Sequence, residues 1–338
     1  MTDALADRRP DPSLDRLLGD LVPPPRFADA RLETYRPDPD FPSQQEAKDR
    51  IAAFAAGLGR STGGGLRGMF RRRPETARGL YLDGGFGVGK THLLASLFHL
   101  APGHRVYGTF VEYTHLVGAL GFQRATDLLG ESTLVCIDEF ELDDPGDTLL
   151  MTRLIRELSD RGVAVVATSN TLPDALGEGR FAAQDFLREI QAMADRFEVI
   201  RIDGHDYRRR DGDVHAPSLD DDQVRAHAEA TPGATLDRFD TLLEHLTQVH
   251  PSRYGALIDD VSSAHLLGVR TLDDHHNALR LVVLVDRLYD REVPVLASGV
   301  DVAQLYTPEL LASGYRKKYY RSLSRLSSLV RDGASLIG

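Results

Sequence analysis

The sequence predicts an α/β fold, in which a doubly wound parallel sheet lies between helices and is followed by a mixed, mostly helical C-terminal region. Short apolar segments alternate with helical segments from about residue 79 to residue 206, a pattern typical of a parallel sheet buried on both faces. Three of these apolar segments end in glycine, acidic or amide residues. Ligands of such sheets bind beyond the carboxyl ends of the strands, so these polar ends are the candidate site.

Composition divides the chain into four parts. We expect an extended N-terminal arm at 1–42, a sheet-containing core at 43–210, an acidic linker at 211–230 and a C-terminal lid or substrate region at 231–338 that contributes a strand. The arm is rich in proline, and one short helix is expected near Leu14 to Leu21.

The core is expected to hold five strands and five helices. The strands fall near residues 79–83, 105–110, 133–138, 163–168 and 197–202. The helices fall near residues 44–58, 90–100, 112–128, 146–161 and 185–195. Ser43 and Glu46 have the spacing of a capping box at the first helix. The glycine- and arginine-rich segment 59–78 is predicted to be a solvated linker, or alternatively a basic loop for lipid, nucleic acid or an acidic partner.

The first strand leads into a turn that fits G-x-x-x-x-G-K-[ST], the phosphate-binding P-loop. Its residues are Gly84, Gly85, Phe86, Gly87, Val88, Gly89, Lys90 and Thr91, with His92 following as a further nucleotide-contact candidate. The glycines allow successive backbone N–H groups to point at one anion, and the start of the next helix adds partial positive charge. Lys90 would contact the β- and γ-phosphates of ATP, and the Thr91 hydroxyl would bind Mg²⁺. The chain has four lysines against 36 arginines, yet it has lysine at this position, where a compact charge suits phosphate.

A second apolar strand ends in the acidic pair Asp138-Glu139. An acidic pair after a strand can also cap a helix, but the P-loop upstream favours a catalytic interpretation. Asp138 would then hold Mg²⁺, and Glu139 would orient or deprotonate the attacking water. Cys136, the only cysteine, lies inside this strand and is expected to be an inert core residue.

A third strand ends in Ser169-Asn170. An amide at this strand end can hydrogen-bond the attacking water or the γ-phosphate, and we assign this role to Asn170. The alternative is an ordinary turn, because the segment from Ser169 to Pro173 also has typical turn composition.

A P-loop, an Asp-Glu strand and an Asn-tipped strand together predict an AAA+-like P-loop NTPase. Such sites usually take an arginine from a neighbouring subunit, which implies a homo-oligomer. Arg196 is the candidate, with Arg188 and Arg180 as competitors. Arg325 is the candidate for a phosphate contact in cis, with Arg321 as the alternative.

Charge and hydropathy restrict the class of protein further. The net charge of −11 argues against a protein that coats nucleic acid, although a local basic patch remains compatible with it. No apolar stretch approaches the ~18 residues needed to span a bilayer, and the first residues do not form a secretory signal. We therefore expect a cytosolic protein.

An internal similarity links the core to the C-terminal region. The segment 149–168 aligns without a gap on 279–298, and identical pairs include Leu154/Leu284 and Leu158/Leu288. Both segments predict an amphipathic helix, a tight turn and a buried strand. A helix is also expected near Leu236 to Val249.

The chain resembles the ZapE family of cell-division ATPases, which also includes the mitochondrial Afg-type ATPases. The resemblance covers roughly residues 27–330. It rests on Gly79–Leu82 before the P-loop, Ile137–Phe140, Ala167–Asn170, Asp206-Tyr207-Arg208, Leu284–Asp290 and Tyr320–Leu326. One departure lies in Leu176–Ile190, where Ala183 stands at the position expected for a family arginine and Arg188 at that of a proline. This departure leaves the arginine finger open between Arg196 and Arg188.

The resemblance implies an ATP-dependent remodelling factor that acts on the tubulin-like division ring, near the inner face of the membrane. Two other functions fit the motifs. A helicase-loader-type ATPase would suit Gly89–Leu93 and the arginine-rich loop, although aromatic residues are not interleaved there. A nucleotide-gated adaptor with little turnover is the third, and Glu139 argues against it because a pure switch needs no water-positioning carboxylate.

Overall fold

The computed structural model describes residues 2–10, 14–58, 79–141, 145–173, 176, 187–205 and 219–337. The chain forms two compact units. The P-loop unit comprises Asp15–Pro23 and Phe27–Tyr207, and the C-terminal unit comprises Met1–Leu14, Pro24–Arg26 and Arg208–Gly338. The predicted loop at 59–78, Arg180, Ala183 and the Asp206-Tyr207-Arg208 motif lie outside the described residues.

The P-loop unit contains a five-stranded parallel sheet, which confirms the predicted fold class. Its strands are β1 (Gly79–Gly84), β2 (Arg105–Thr109), β3 (Leu134–Asp138), β4 (Ala164–Ser169) and β5 (Phe197–Ile202). Their spatial order is β2-β3-β4-β1-β5, and the neighbouring strands run parallel throughout. The carboxyl ends of β1, β3 and β4 therefore lie at one edge of the sheet, where the P-loop, Asp138 and Asn170 follow.

The helices of this unit are confirmed with small changes of boundary. They are α1 (Leu14–Gly19), α2 (Pro42–Gly57), α3 (Lys90–Leu100), α4 (Phe110–Leu120), α5 (Phe122–Gly130), α6 (Pro145–Asp160) and α7 (Leu187–Ala194). The single helix expected at 112–128 is two helices, because Gly121 adopts a φ of 79° between them. The expected Ser43 capping box is also wrong, since α2 begins at Pro42 and the Ser43 hydroxyl accepts the Asp203 N–H at 2.9 Å.

Alternating strand residues bury opposite faces of this sheet. Tyr81, Ile137 and Val165 pack on one face, in the same cluster as residues of α4 and α6. Leu82, Cys136 and Val166 pack on the other face with residues of α3. Cys136 is fully buried, and burial raises the pKa of its thiol well above the usual value, in agreement with an inert core residue.

The C-terminal unit has its own three-stranded parallel sheet, where the sequence predicted a contributed strand. Its strands are β6 (Ala234–Arg238), β7 (Ser263–Val269) and β8 (Val295–Gly299), in that spatial order. Its helices are α8 (Asp221–Ala230), α9 (Phe239–Gln248), α10 (Tyr254–Leu257), α11 (His275–Asp290), α12 (Pro308–Ala312) and α13 (Arg316–Ala334). Two predicted boundaries differ from the structure. The helix predicted from Leu236 begins at Phe239, because β6 precedes it. Residues 221–230 of the predicted linker form α8, which is capped by Asp220.

The first residues of the predicted N-terminal arm are part of this unit. Leu5 is fully buried in its core. The Asp237 carboxylate accepts the N–H of Leu5 at 3.0 Å and that of Ala6 at 2.9 Å. The Leu236 N–H donates to the Asp3 carbonyl at 2.8 Å, so the chain start packs along β6 rather than projecting as an arm.

The internal similarity is confirmed down to the turn that joins helix and strand. In the P-loop unit the Val163 N–H donates to the Leu158 carbonyl at 3.0 Å, and in the C-terminal unit the Val293 N–H donates to the Leu288 carbonyl at 3.0 Å. The residue before each valine is in the left-handed region, with φ of 86° at Gly162 and 55° at Glu292. The same turn is therefore built with glycine in one unit and with glutamate in the other.

We predict that Glu292→Gly raises the thermal unfolding midpoint and that Gly162→Ala lowers it. A left-handed conformation costs an L-residue about 1 kcal/mol, and glycine avoids that cost. Thermal unfolding followed by circular dichroism would measure both changes. Glu309→Gly, in helical α12, is the control and should destabilise by about 1 kcal/mol. Stabilisation by Glu309→Gly, or destabilisation by Glu292→Gly, would contradict this account of the turn.

We predict that protonation of His265 destabilises the C-terminal unit in acid. His265 is fully buried, with Nδ1 3.0 Å from the Thr235 carbonyl and Nε2 2.9 Å from Nδ1 of His227. Burial, and then the neighbouring His227, lower the pKa of His265 to about 4. Because the folded pKa lies below the unfolded value of about 6.5, the stabilisation is complete above that value and is lost as pH falls toward 4, by up to about 3 kcal/mol.

Urea unfolding at pH 7, 6, 5 and 4.5 would measure this loss. His265→Asn should be less stable at pH 7 and should show a shallower dependence on pH. His276→Asn, at an exposed position on α11, is the matched control and should keep the wild-type dependence. Equal pH slopes in wild type and His265→Asn would remove His265 as the cause.

Candidate active site

The phosphate-binding loop joins β1 to α3 through two left-handed glycines. Gly87 has a φ of 69° and Gly89 a φ of 86°, and Gly89 is the N-cap residue of α3. Gly84 has no room for a side chain, since a Cβ there would lie 2.3 Å from the Ile202 carbonyl oxygen. These backbone requirements explain why the motif carries glycine at these positions.

Lys90 is buried and its ammonium is held by three oxygen acceptors. Its Nζ donates to the carbonyls of Gly84 at 2.8 Å and Gly85 at 2.6 Å, and to Oδ1 of Asn170 at 2.8 Å. Because β1 and β4 are neighbours in the sheet, the P-loop lysine and the amide after β4 meet directly. Lys90 and Asn170 are therefore in direct contact, while their catalytic roles stay predictions.

Asp138 lies at the end of β3 and accepts hydrogen bonds on both carboxylate oxygens. Thr91 Oγ1 is 3.3 Å from Oδ1, the Thr168 hydroxyl donates to the same oxygen, and the Tyr107 hydroxyl donates to Oδ2 at 2.9 Å. A carboxylate beside a hydroxyl at the P-loop is a donor set of hard oxygens that suits Mg²⁺, which takes one or two carboxylates together with phosphate oxygens. In the described part of the chain, no group of three or more His, Cys, Asp or Glu side chains could hold a metal ion by itself.

Glu139 follows in a backbone conformation that few L-residues adopt. Its φ is 54°, and its N–H donates to the Thr168 hydroxyl at 3.0 Å. The Phe140 N–H donates to the Thr168 carbonyl at 2.7 Å, and the Phe140 side chain is fully buried. The chain therefore turns sharply at Glu139, beside the residues of the P-loop.

The segment from Phe27 to Arg36 lies against the P-loop and α3, which sequence analysis did not anticipate. The Tyr35 hydroxyl donates to the Val88 carbonyl at 2.9 Å, and burial raises the pKa of this tyrosine to about 12. A Cβ on Gly89 would lie 2.5 Å from the Tyr35 ring.

His92, expected at the nucleotide, contacts the same segment: its Nε2 lies 3.0 Å from both the Arg31 carbonyl and the Thr34 hydroxyl. Its imidazole thus supports this segment, and nucleotide contact by His92 stays a prediction.

Arg196, the first arginine-finger candidate, lies at the opposite end of the sheet from the P-loop. Arg196 precedes β5, at the amino end of the sheet, and its Nη1 lies 2.8 Å from Oδ1 of Asp160. Arg188 is exposed in the first turn of α7. A role for either residue in a neighbouring subunit stays a prediction.

The cis candidates Arg325 and Arg321 are buried in the C-terminal unit. Both contact Asp286, Arg325 through Nη1 at 2.5 Å and Arg321 through Nη2 at 2.8 Å. The Arg325 guanidinium also lies over the Tyr289 ring, 5.1 Å from its centroid. These contacts give Arg325 a structural role between α11 and α13, and phosphate binding by it stays a prediction.

We predict that Gly89→Ala weakens ATP binding by at least about tenfold. An alanine at this position would be strained by the positive φ and would collide with the Tyr35 ring, so the loop would shift. Tyr35→Phe keeps the ring and removes only the hydrogen bond to Val88, so we expect a smaller loss of about two- to fivefold. Titration with a fluorescent ATP analogue measures both.

Gly118→Ala is the matched control for this comparison. Gly118 is in helix α4, and a Cβ there would meet nothing within 4 Å. It should therefore bind ATP as the wild type does. Wild-type affinity in Gly89→Ala would show that the Tyr35 contact does not constrain the loop.

Comparison with known proteins gives the family of this chain. The AFG1-like ATPase family matches residues 12–230 and 219–333. The cell division protein ZapE of Escherichia coli K12 is 29% identical, with 77% of this chain and 81% of that protein covered. The uncharacterized protein C115.02c of Schizosaccharomyces pombe is 31% identical over 40% of this chain and 34% of its own length.

Among solved structures, the replication initiator DnaA bound to AMPPCP and single-stranded DNA is 10% identical, with a TM-score of 0.42 over 92% of this chain and 95% of that one. Because this TM-score is below 0.5, the fold class rests on the strand order described above and not on the similarity to DnaA. The match to the family extends over both units and includes the P-loop and the Asp138-Glu139 strand end. The chain therefore belongs to the AFG1-like ATPase family, and it is an ATPase.

Proposed function

We propose that this ATPase hydrolyses Mg²⁺-ATP at the P-loop and uses the reaction to remodel a protein partner in cell division, with the tubulin-like division ring as its substrate. The observation that supports the hydrolytic part is the meeting of Lys90, Asp138 and Asn170 at the carboxyl edge of one sheet. The similarity to a cell division protein over 77% of the chain supports the cellular role.

Each residue has a role that follows from its chemistry. The Lys90 ammonium exchanges carbonyl oxygens of the loop for phosphate oxygens, and the N–H groups after Gly87 bind the same phosphates. Thr91 and Asp138 would hold Mg²⁺, which when bound neutralises charge on the β- and γ-phosphates. Glu139 orients the attacking water or accepts its proton, and the Asn170 amide hydrogen-bonds that water or the γ-phosphate.

We propose that the active form is a homo-oligomer in which Arg196 meets the γ-phosphate of the neighbouring subunit, with Arg188 as the alternative. An arginine supplied in trans stabilises the charge that develops on the transferred phosphoryl group and is worth roughly 10³–10⁵ in rate in well-studied systems. Arg196 is paired with Asp160, so assembly has to compete with that ion pair.

The proposed location in the cell rests on the same similarity to a cell division protein. None of the helices in the described ranges combines the length and apolarity that crossing a bilayer requires. We propose a cytoplasmic protein that is recruited to the inner face of the membrane at the division site by a partner or by peripheral contact.

We predict that specific ATPase activity rises with protein concentration and falls at least about tenfold in Glu139→Gln and in Arg196→Ala. Mixing the two variants should restore part of the activity, because a Glu139→Gln subunit donates its arginine to the intact site of an Arg196→Ala subunit. Steady-state phosphate release across a concentration series measures this.

Asp160→Asn is the control, since it removes the partner of Arg196 and keeps the arginine. It should retain at least the wild-type activity, because the arginine is kept and no longer has to leave this ion pair. Independence from concentration, together with full activity of Arg196→Ala, would exclude a shared site.

Remodelling has its own test. Polymers of the tubulin-like division protein, sedimented with the ATPase, should change in amount or length with ATP and not with Glu139→Gln. Salt-dependent binding to single-stranded DNA without an effect on polymers would instead support a helicase loader. Tight ATP binding with negligible turnover, also with the partner present, would support an adaptor.

A further inference from the structure

We infer that Thr168, on β4, is a positioning residue that sets the metal-binding Asp138 and the water-activating Glu139 with one hydroxyl group. This inference rests on the proposed Mg²⁺-ATP hydrolysis. Thr168 is 2% exposed and contacts both acidic residues without being a candidate for either role.

The direction of each hydrogen bond follows from the groups involved. The Asp138 carboxylate only accepts, and the Glu139 backbone N–H only donates. The Thr168 hydroxyl has one proton, so it donates that proton to Asp138 Oδ1 and accepts the Glu139 N–H at 3.0 Å on a lone pair. Both bonds are made at once, and together they fix the rotamer of the threonine.

The position of Thr168 explains why a side chain is needed there. The parallel ladder between β3 and β4 ends at the pair Ile137 and Ala167. One residue further, Asp138 still pairs with Thr109 of β2 but no longer with β4, and Glu139 then turns to a φ of 54°. Beyond the last ladder pair, the Thr168 hydroxyl accepts the N–H of Glu139 and the Thr168 carbonyl accepts the N–H of Phe140. A left-handed residue costs about 1 kcal/mol, and such backbone persists where its surroundings determine it.

A second buried hydroxyl fixes the other side of the carboxylate. Tyr107 is 1% exposed on the neighbouring strand β2, and its hydroxyl donates to Asp138 Oδ2 at 2.9 Å. Thr168 and Tyr107 therefore hold the two oxygens of Asp138 from opposite neighbouring strands. Thr91, at 3.3 Å, makes the longest of the three contacts and is the one best able to exchange for a metal ion. Tyr107 is placed to affect Asp138 alone, whereas Thr168 is placed to affect both acids.

This difference defines the experiment. Thr168→Val keeps the shape and removes the hydroxyl, whereas Thr168→Ser keeps the hydroxyl. We expect Thr168→Val to lower kcat by about 10- to 100-fold, to change KM for ATP less than about threefold, and to raise the Mg²⁺ concentration for half-maximal activity by about tenfold. Thr168→Ser should stay within about threefold of wild type. Tyr107→Phe should raise the Mg²⁺ requirement but lower kcat at saturating Mg²⁺ less than Thr168→Val does.

Thr152→Val is the matched control for loss of a buried threonine hydroxyl. Its hydroxyl donates at 2.8 Å to the Thr148 carbonyl within α6, and this variant should keep the wild-type kcat and Mg²⁺ requirement. Thermal unfolding of every variant checks the fold. Binding of a fluorescent ATP analogue, titrated with Mg²⁺, gives a readout that does not depend on turnover, and there Thr168→Val should also need about tenfold more Mg²⁺.

The outcomes separate the inference from the proposed function. Wild-type kcat and Mg²⁺ dependence in folded Thr168→Val would overturn the inference and leave the proposed hydrolysis intact. Equal defects in Thr168→Ser and Thr168→Val would overturn it as well, because the hydroxyl would then not be the cause. Absence of turnover in the wild type would refute the proposed function, and the Mg²⁺-dependent binding titration would still decide the role of Thr168.

Discussion

The buried ammonium of Lys90 is the interaction on which the arrangement of the site depends. A charged group in the interior is tolerated only where hydrogen-bond acceptors surround it, and Lys90 has two loop carbonyls and the Asn170 amide oxygen. The third acceptor is available only because β4 lies next to β1 in the strand order. The topology of the sheet thus determines the chemistry of the loop, and phosphate oxygens can replace the same acceptors.

The two units contain the same helix–turn–strand element, but the residues at the end of its strand differ in function. In the P-loop unit the element α6–β4 is followed by Asn170, which accepts a hydrogen bond from Lys90, and Thr168 within β4 contacts Asp138 and Glu139. In the C-terminal unit the element α11–β8 ends at Ser298-Gly299, and a Cβ on Gly299 would lie 2.1 Å from the Val269 carbonyl oxygen. At the second strand end the Val269 backbone therefore occupies the place of a side chain at Gly299, and the Ser298 hydroxyl contacts Gly268 and Asp221, whereas the first strand end is followed by the amide of Asn170. The shared turn fixes the packing of helix on strand, and the residues beyond it decide whether a site can form.

The residues that could be predicted from the sequence are those whose role follows from a local pattern. Lys90, Thr91 and Asp138 stand at strand ends within recognisable motifs, and parallel strands bring those ends together. Tyr35 and Tyr107 carry no such signal, because each reaches the site through a contact between segments distant in sequence. Thr168 could be assigned to a strand from the sequence. Its two hydrogen bonds could not be predicted, because they depend on the residue at which the pairing of β4 with β3 ends. Arg325 fitted a family position, yet its ion pair with Asp286, which lies on another helix, could not be predicted from spacing.

The position of Arg196 has a consequence for how activity and assembly are linked. β5 runs parallel to β1, so a residue before β5 lies one strand length from the P-loop, roughly 17–20 Å for a strand of ordinary length. An arginine at that distance does not reach the γ-phosphate of its own chain. If Arg196 contributes to hydrolysis, it does so in a second copy whose sheet presents its amino edge to this carboxyl edge. A monomer would then bind ATP through Lys90 and lack one charge needed for turnover, and hydrolysis would begin only with assembly.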